Sequence, residues 1–396
     1  MSTQFAVEFT PIAIESILPL FEQQNGPCVS IYLPTARTGK EIRESPIRLK
    51  NRITEAEEQL EAADVDSSTT AKTCQRVMSL CDLESESNRE FWQHQGDGLA
   101  VLIDEDSERF FKLPSSPEEL TIVANRFHLK PLLRAVNRDE EYCVLAVSQS
   151  DVRFLEGSRD GLAQRPIEEL PESLQAVIRG DHIKGFGLHS FNVRPGAGDA
   201  AVPHGHVDSN EQHELRRYFN AIDEALQEVL KGDTRPLIFA GVKELFPFFR
   251  DTTEYGFLEE EPIAGNPDES SAEELHEKAW PMITKRFSDR QEEAIERFHT
   301  AASSNLAERE LESVLVAAHD GRIETLLVKT NATRWGTYDA DERIAKVERE
   351  ASAANCDLVD LATVKTFEAS GTVVFVDEGA LGDDQVVGAI CRFPVK

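Results

Sequence analysis

Hydrophobic positions in the first third of the chain form short apolar runs that alternate with longer amphipathic stretches. Residues 29–35 (VSIYLPT) are apolar and partly β-branched, which predicts a buried strand. From Ile47 to Leu60, apolar residues recur at near-helical spacing, and this predicts a helix over about 47–62. A second helix is predicted near 68–82, with further strands at 99–105 and 120–129. This alternation predicts a small α/β layer domain.

The middle of the chain repeats the alternation with a different order. Residues 142–157 (YCVLAVSQSDVRFLEG) predict two strands around the polar turn Gln149-Ser150-Asp151. The rest of this region is predicted as a strand at 187–193, a loop at 194–208, a helix at 210–230 and a strand at 236–242. The segment ELFPFF then opens another helix, in which the phenylalanines suit a core or interface position. This pattern predicts a second α/β domain.

An acidic linker with Pro, Gly and Ser, residues 259–275, separates the last region. Beyond it the pattern predicts helices near 272–304, 306–318 and 341–354, and strands at 324–330, 371–377 and 387–393. Their order is typical of a three-layer α/β/α arrangement. The predicted fold class is therefore α/β, with three domains at 1–138, 139–265 and 266–396.

The charge of the chain limits its partners. Its 396 residues contain 42 Lys+Arg against 72 Asp+Glu, a formal net charge of -30. Phosphate backbones repel such a protein as a whole, which excludes nonspecific coating of nucleic acid, and no DNA partner is predicted. A local basic patch is still compatible with this charge.

Hydropathy and cysteine usage indicate a cytoplasmic protein. No stretch reaches the roughly 18 apolar residues of a membrane span, so no membrane partner is predicted. The first twenty residues lack the basic start and apolar block of a signal peptide. The six cysteines include no C-x-x-C pair, and three of them lie in apolar runs, as is typical of reduced, buried thiols.

One short segment runs against the acidic charge of the chain. Residues 37–52 carry six basic residues and two acidic ones, a net charge of +4. One interpretation is a phosphate-binding patch, because Arg side chains match phosphate oxygens in pairs. The alternative is a solvated helix start whose basic side chains pair with nearby acids. The candidate RNA-binding residues are Arg37, Lys40, Arg43, Arg48, Lys50 and Arg52.

Glycine and histidine are concentrated in the predicted loop 194–208. Glycine allows close approach of the backbone to a ligand, so this loop is a candidate contact with a partner. The pair His204-x-His206 also resembles the start of metal-dependent hydrolase motifs, but the further His of such motifs is missing. No metal or other cofactor is predicted, because that further His is missing and the sequence contains no nucleotide-binding motif. A serine nucleophile is not predicted either, because the sequence contains no G-x-S-x-G motif. The candidate loop residues are Arg194, Gly196, Gly198, His204 and His206.

Four segments resemble one family of translation proteins. Residues 29–60 are similar to the opening domain of the bacterial proteins related to archaeo-eukaryotic release factors. Residues 142–157 and 237–249 fit the same family. Residues 386–393 (VVGAICRF) resemble the glycine-rich last strand of Pelota and of the eukaryotic class-1 release factor.

The resemblance implies a ribonuclease-H-like middle domain and a C-terminal domain similar to kink-turn-RNA-binding ribosomal proteins. It also implies a cytoplasmic translation protein that binds the ribosome or a tRNA-like RNA. In release factors the loop before the long middle-domain helix carries Gly-Gly-Gln. Aligned through Tyr218, the corresponding tip at 195–202 (PGAGDAAV) contains no Gln. We therefore expect no peptide release and assign no catalytic residue.

Three functions compete on this basis. The leading hypothesis is a noncatalytic ribosome- or tRNA-binding protein that uses the basic segment and presents the loop to a functional centre. A metal-dependent hydrolase built on His204 and His206 is the enzymatic alternative. The acidic surface also fits a protein-interaction scaffold.

Overall fold

A computed structural model describes residues 9–22, 27–36, 40–63, 68–105, 107–137, 141–182, 209–382 and 384–394. The chain divides into two compact units. The first unit combines an N-terminal segment, Met1–Asp139, with a C-terminal segment, Phe287–Lys396. The second unit is Glu140–Arg286.

The N-terminal segment is built on a four-stranded antiparallel sheet in the order β3-β2-β1-β4. Its strands are β1 Cys28–Pro34, β2 Gly98–Ile103, β3 Glu108–Leu113 and β4 Leu120–Ala124. Its helices are α1 Ile14–Ile17, α2 Ser45–Ala62, α3 Ser68–Met78, α4 Glu86–Gln93 and α5 Lys130–Val136. β1 is an inner strand buried on both faces, which explains why its sequence is apolar except at Ser30.

Helix α2 begins with Ser45-Pro46, and proline suits the first turn because the N–H it lacks would have no partner there. Leu49, Ile53 and Leu60 of α2 are buried in one core cluster with Val29 of β1. The predicted helix is thus confirmed, and one side of it covers the sheet.

The second unit contains a five-stranded sheet in the order β7-β6-β5-β8-β9. The strands are β5 Tyr142–Val147, β6 Val152–Ser158, β7 Gly161–Gln164, β8 Leu237–Gly241 and β9 Ile263–Ala264. Neighbours are antiparallel from β7 to β5, and parallel from β5 through β8 to β9. The helices are α6 Leu174–His182, α7 Ser209–Val229 and α8 Phe246–Thr252.

Helix α7 supplies much of the second unit's core. Its Tyr218 and Phe219 are buried, and the Tyr218 hydroxyl donates to the carbonyl of Ser148 at 2.8 Å. Phe246 and Phe249 of α8 are buried in the same cluster, which confirms the core position expected for ELFPFF. Aromatic rings therefore fix α7 and α8 against the sheet.

Helix α9, Ala272–Ser303, crosses the boundary between the units, with residues 287–303 in the C-terminal segment. The larger sheet of this segment has the order β10-β16-β11-β15, and the smaller one has the order β13-β12-β14. The elements are β10 Ala307–Glu308, α10 Leu311–His319, β11 Ile323–Lys329, β12 Trp335–Asp339, β13 Ile344–Val347, β14 Cys356–Asp357, α11 Leu358–Glu368, β15 Thr372–Val376 and β16 Val387–Cys391.

The helix predicted over 341–354 is wrong, because this stretch contains β13 and irregular chain instead. The carboxylate of Asp339 accepts the backbone N–H of Asp341 at 3.0 Å and of Glu342 at 2.9 Å, which turns the chain back on itself. β13 then pairs with β12. A local side-chain turn therefore outweighs the helix propensity of the charged residues.

None of the helices that the structure describes is long and apolar enough to cross a membrane. All six cysteines are free thiols, and five of them are buried.

Candidate RNA-binding surface

The predicted basic segment occupies a 3-10 helix, Lys40–Arg43, and the first half of α2. The side chains of α2 point in three directions. Leu49 and Ile53 face the sheet and are fully buried. Arg48 and Arg52 lie along one flank, and Ile47 and Lys50 are exposed on another side. The basic residues of α2 therefore lie on two separate surfaces, Arg48 and Arg52 on one and Lys50 on the other.

Arg48 and Arg52 are tied to the body of the protein by Glu119, which directly precedes β4. Glu119 contacts the guanidinium of Arg48 through one carboxylate oxygen and Nε of Arg52 at 3.8 Å through the other. The hydrogen bond to Glu119 raises the pKa of the Arg48 guanidinium. These two arginines therefore hold α2 to the start of β4, and Glu119 lowers their local positive charge.

Further carboxylates complete the pairing of these arginines. Arg48 lies 3.4 Å from Glu44, one helical turn before it. Arg52 lies 2.7 Å from Glu55, three residues after it. Exposed pairs of this kind contribute little stability, but they neutralise the charge that a phosphate would meet. This flank corresponds to the alternative interpretation, a helix start whose basic side chains pair with nearby acids.

Arg43 and Lys50 differ from this flank. Both are exposed, and neither forms an ion pair with any residue in the described part of the chain. Ile47 and Lys50 are three residues apart on α2 and therefore lie on the same side of this helix, and Arg43 ends the 3-10 helix that leads into it. We call Ile47 and Lys50 of α2, together with Arg43 just before this helix, the free face of α2. It joins two unneutralised cations to an apolar side chain.

Ile47 does not occupy the core position that the sequence predicts for it. Its spacing placed it among the apolar positions of the predicted helix, but its exposed fraction is 61%. The first turn of α2 instead buries Pro46, and Leu49 takes the next core position. Glu119 gives no signal in the sequence, because only the pairing of β4 with β1 brings this residue beside α2.

Several candidate residues lie outside what the structure describes. Arg37 is outside the described residues, and Lys40 is described only as part of the 3-10 helix. The whole predicted loop, with Arg194, Gly196, Gly198, His204 and His206, falls in the undescribed range 183–208. Within the described ranges, no group of three or more His, Cys, Asp or Glu side chains is arranged to hold a metal ion.

One family model matches most of the second unit and the part of the C-terminal segment before β11. Residues 141–322 match the model of bacterial archaeo-eukaryotic release factor family 3. This segment is therefore similar to that family. The match begins at the start of β5 and ends next to β11. It confirms the predicted relationship to the bacterial archaeo-eukaryotic release factors.

Solved structures of translation termination factors and of related factors are similar to the chain at low identity. Archaeal Pelota, in a ribosome-bound model with ABCE1, is 15% identical over 75% of this chain and 78% of that one, with a TM-score of 0.40. S. cerevisiae Dom34, a translation termination-like factor, is 12% identical over 76% and 74%, also at 0.40. The archaeal termination factor aRF1 is 14% identical over 97% and 99%, at 0.25. These TM-scores are too low to support a structural argument. No curated protein matches the sequence.

Proposed function

We propose that this protein is a translation-associated factor that binds the ribosome or a tRNA-like RNA. The observation that carries the proposal is the match of residues 141–322 to a bacterial family related to release factors. The proposal includes a cytoplasmic location. Peptide release is not part of it, because residues 195–202 contain no glutamine.

The proposal includes three domains at 1–138, 139–265 and 266–396. The four sheets support this division, because one lies within 1–138, one within 139–265 and two within 266–396. The order β7-β6-β5-β8-β9 supports a ribonuclease-H-like middle domain, because three antiparallel strands are followed by two parallel ones. The mixed sheet β10-β16-β11-β15, packed against α10 and α11, supports an α/β/α C-terminal domain.

RNA contact is proposed for the basic segment, and the free face of α2 is its most available part. A chain of net charge -30 can approach phosphate only where cations outnumber acids locally. Arg43 and Lys50 satisfy this condition because neither has a carboxylate partner in the described part of the chain. Arg48 and Arg52 would first have to leave Glu119. The exposed side chain of Ile47 offers an apolar contact to a base or sugar.

Ribosome cosedimentation at two salt concentrations tests the proposal. The variant Arg43→Gln/Lys50→Gln removes both cations of the free face without touching the buried side of α2. The matched control is Lys346→Gln/Arg349→Gln, which changes the net charge equally at two exposed positions in and after β13. For every cation that no longer meets a phosphate, the slope of log affinity against log salt should fall by about 0.7 to 0.9.

We expect the free-face variant to cosediment less at low salt and its slope to fall by up to twice that amount, while the control behaves like the parent. An equal decrease in both variants would make the effect one of net charge, not of this surface. Full binding by the free-face variant would reject the surface. Absence of cosedimentation of the parent at every salt concentration would reject the ribosome as the partner.

A further inference from the structure

Four buried polar side chains join the two segments of the first unit. His128 and Lys130 come from the N-terminal segment, between β4 and the start of α5. Asp357 and Asp360 come from the C-terminal segment, at the end of β14 and in the first turn of α11. Their exposed fractions lie between 2% and 5%. We call these four residues the junction cluster.

Backbone hydrogen bonds hold both carboxylates in place. Oδ1 of Asp360 accepts the N–H of Leu129 at 2.8 Å and also that of Lys130. Oδ1 of Asp357 accepts the N–H of Arg334 at 2.9 Å and of Val359 at 3.0 Å. Each carboxylate therefore has one oxygen engaged by the backbone. The hydrogen bonds that Asp360 accepts connect the C-terminal segment directly to the N-terminal segment.

The ammonium of Lys130 is also shared across the junction. Its Nζ lies 3.5 Å from Oδ2 of Asp357 and donates to the carbonyl of Ala332. Lys130 is thus the cation that contacts a carboxylate of the cluster directly. It neutralises one of the two.

His128 is held by its backbone, but its side chain has no hydrogen-bond partner at Nδ1. Its N–H donates to Oγ of Ser30 at 3.0 Å, and its carbonyl accepts the hydroxyl of Tyr32 at 2.6 Å. Nδ1 lies 3.7 Å from Oδ2 of Asp357 and 3.7 Å from Oδ1 of Asp360. A buried nitrogen without a hydrogen-bond partner, placed between two carboxylates, indicates that one of these three groups carries a proton.

The charges of the cluster do not cancel when His128 is neutral. Lys130 then stands against two carboxylates, which leaves one negative charge in a buried site. Arg126 also acts on Asp360, but its guanidinium donates to the carbonyl of Phe21 and forms no ion pair with either aspartate. The other titratable groups facing the site, Tyr32 and Cys356, are neutral when protonated. An uncompensated buried charge is costly, and binding of one proton removes it.

We propose that the junction cluster holds one proton among His128, Asp357 and Asp360, and that loss of this proton weakens the contact between the N-terminal and C-terminal segments. This conformational control is separate from RNA binding. Titration of the cluster makes the contact between the two segments sensitive to pH within the physiological range.

The shifts in pKa assign the proton to Asp360. Burial and the neighbouring Asp357 raise the pKa of Asp360 to about 7. Burial also raises the pKa of Asp357, and burial together with Lys130 lowers the pKa of His128 well below its usual value. A carboxyl group whose pKa is higher in the folded state stabilises that state fully below the unfolded pKa, near 3.8. This stabilisation disappears as the pH rises through about 7.

Urea unfolding of the full chain at about pH 5.5 and about pH 8.5 tests this proposal. Asp360→Asn keeps an oxygen that can accept from Leu129 and Lys130 but carries no charge at either pH. Glu368→Gln is the matched control, since it neutralises an exposed carboxylate on the same helix. We expect the folded-to-unfolded ratio of the parent to fall by roughly 10-fold or more, relative to Asp360→Asn, between the two pH values. The control should keep the parent's pH dependence.

A constant difference between the parent and Asp360→Asn at both pH values would overturn the proposal, because Asp360 would then be ionised throughout. Infrared spectroscopy of the parent, with the aspartate carboxyl carbons isotopically labelled, needs no variant. A protonated aspartate band at the lower pH that disappears at the higher pH supports the proposal. Absence of that band at the lower pH refutes it.

Discussion

Asp360 and Leu129 are 231 positions apart in the chain, yet the carboxylate of Asp360 accepts the backbone N–H of Leu129 at 2.8 Å. The first N–H groups of a helix have no partner within the helix, and the N-cap residue of α5, Leu129, supplies no side-chain cap. The C-terminal segment supplies that cap. The start of α5 is therefore completed by a residue from the other end of the chain.

Removal of this acceptor should destabilise the first unit. Asp360→Ala leaves the N–H groups of Leu129 and Lys130 buried without a partner, which costs about 1 to 3 kcal/mol for each group. We expect the free energy of unfolding to fall by about 2 kcal/mol or more in urea titrations. Asp360→Asn serves as the control, because it retains the acceptor. Equal destabilisation of the two variants would mean that the charge, not the cap, is what the fold requires.

Glu119 offers a way to increase RNA binding instead of removing it. Glu119→Gln should free Arg48 and Arg52 from their shared partner and raise the local positive charge beside the free face of α2. We expect stronger ribosome cosedimentation at low salt, and a slope against log salt that is steeper by about 0.7 to 0.9 for each arginine that then binds a phosphate.

The matched control for this increase is Glu244→Gln, which makes the same charge change at an exposed position of the second unit. The control should bind like the parent. An unchanged slope in Glu119→Gln would restrict the contact surface to the free face.

Cys81 should be the first of the six cysteines to react with a thiol reagent in the folded protein. It is half-buried, whereas the other five are buried. Burial raises its pKa to about 11, and Lys50 opposes that shift. The thiolate fraction, and with it the labelling rate, should therefore increase as the pH is raised. Mass spectrometry after brief labelling identifies the site.

Two variants check the origin of the Cys81 reaction. Cys81→Ser should remove the fast phase entirely. Lys50→Gln should slow it, because it removes the cation that favours the thiolate. Faster labelling of Cys28 or Cys143 than of Cys81 would contradict the buried positions of those thiols in their strands.

Burial explains which elements the sequence predicts well. β1, β2 and β8 are buried over nearly their whole length, so their runs are predominantly apolar and their ends fall within two residues of the predicted ranges. Helix α2 is predicted equally well, because one side of it must cover the sheet. The error at 341–354 occurs where little is buried, since β13 is mostly exposed and a turn at Asp339 decides the conformation.

The candidate site was predictable only in part. The concentration of basic residues over 37–52 is a property of the sequence, but their separation into paired and free cations depends on Glu119. No local pattern connects α2 with a glutamate about seventy residues later. The junction cluster left a weak signal, since Asp357 and Asp360 are acids in an apolar stretch that is otherwise buried.

The sequence by itself determined the local elements, the acidic character and the family relationship, because hydrophobic periodicity, charge and motif are all written along the chain. Tertiary structure alone decided which distant groups meet. It brought Glu119 to Arg48 and placed Asp360 on the backbone of Leu129. The physical reason is that such contacts form when separate elements bury their apolar faces together, and the energy of that packing depends on residues far apart in sequence.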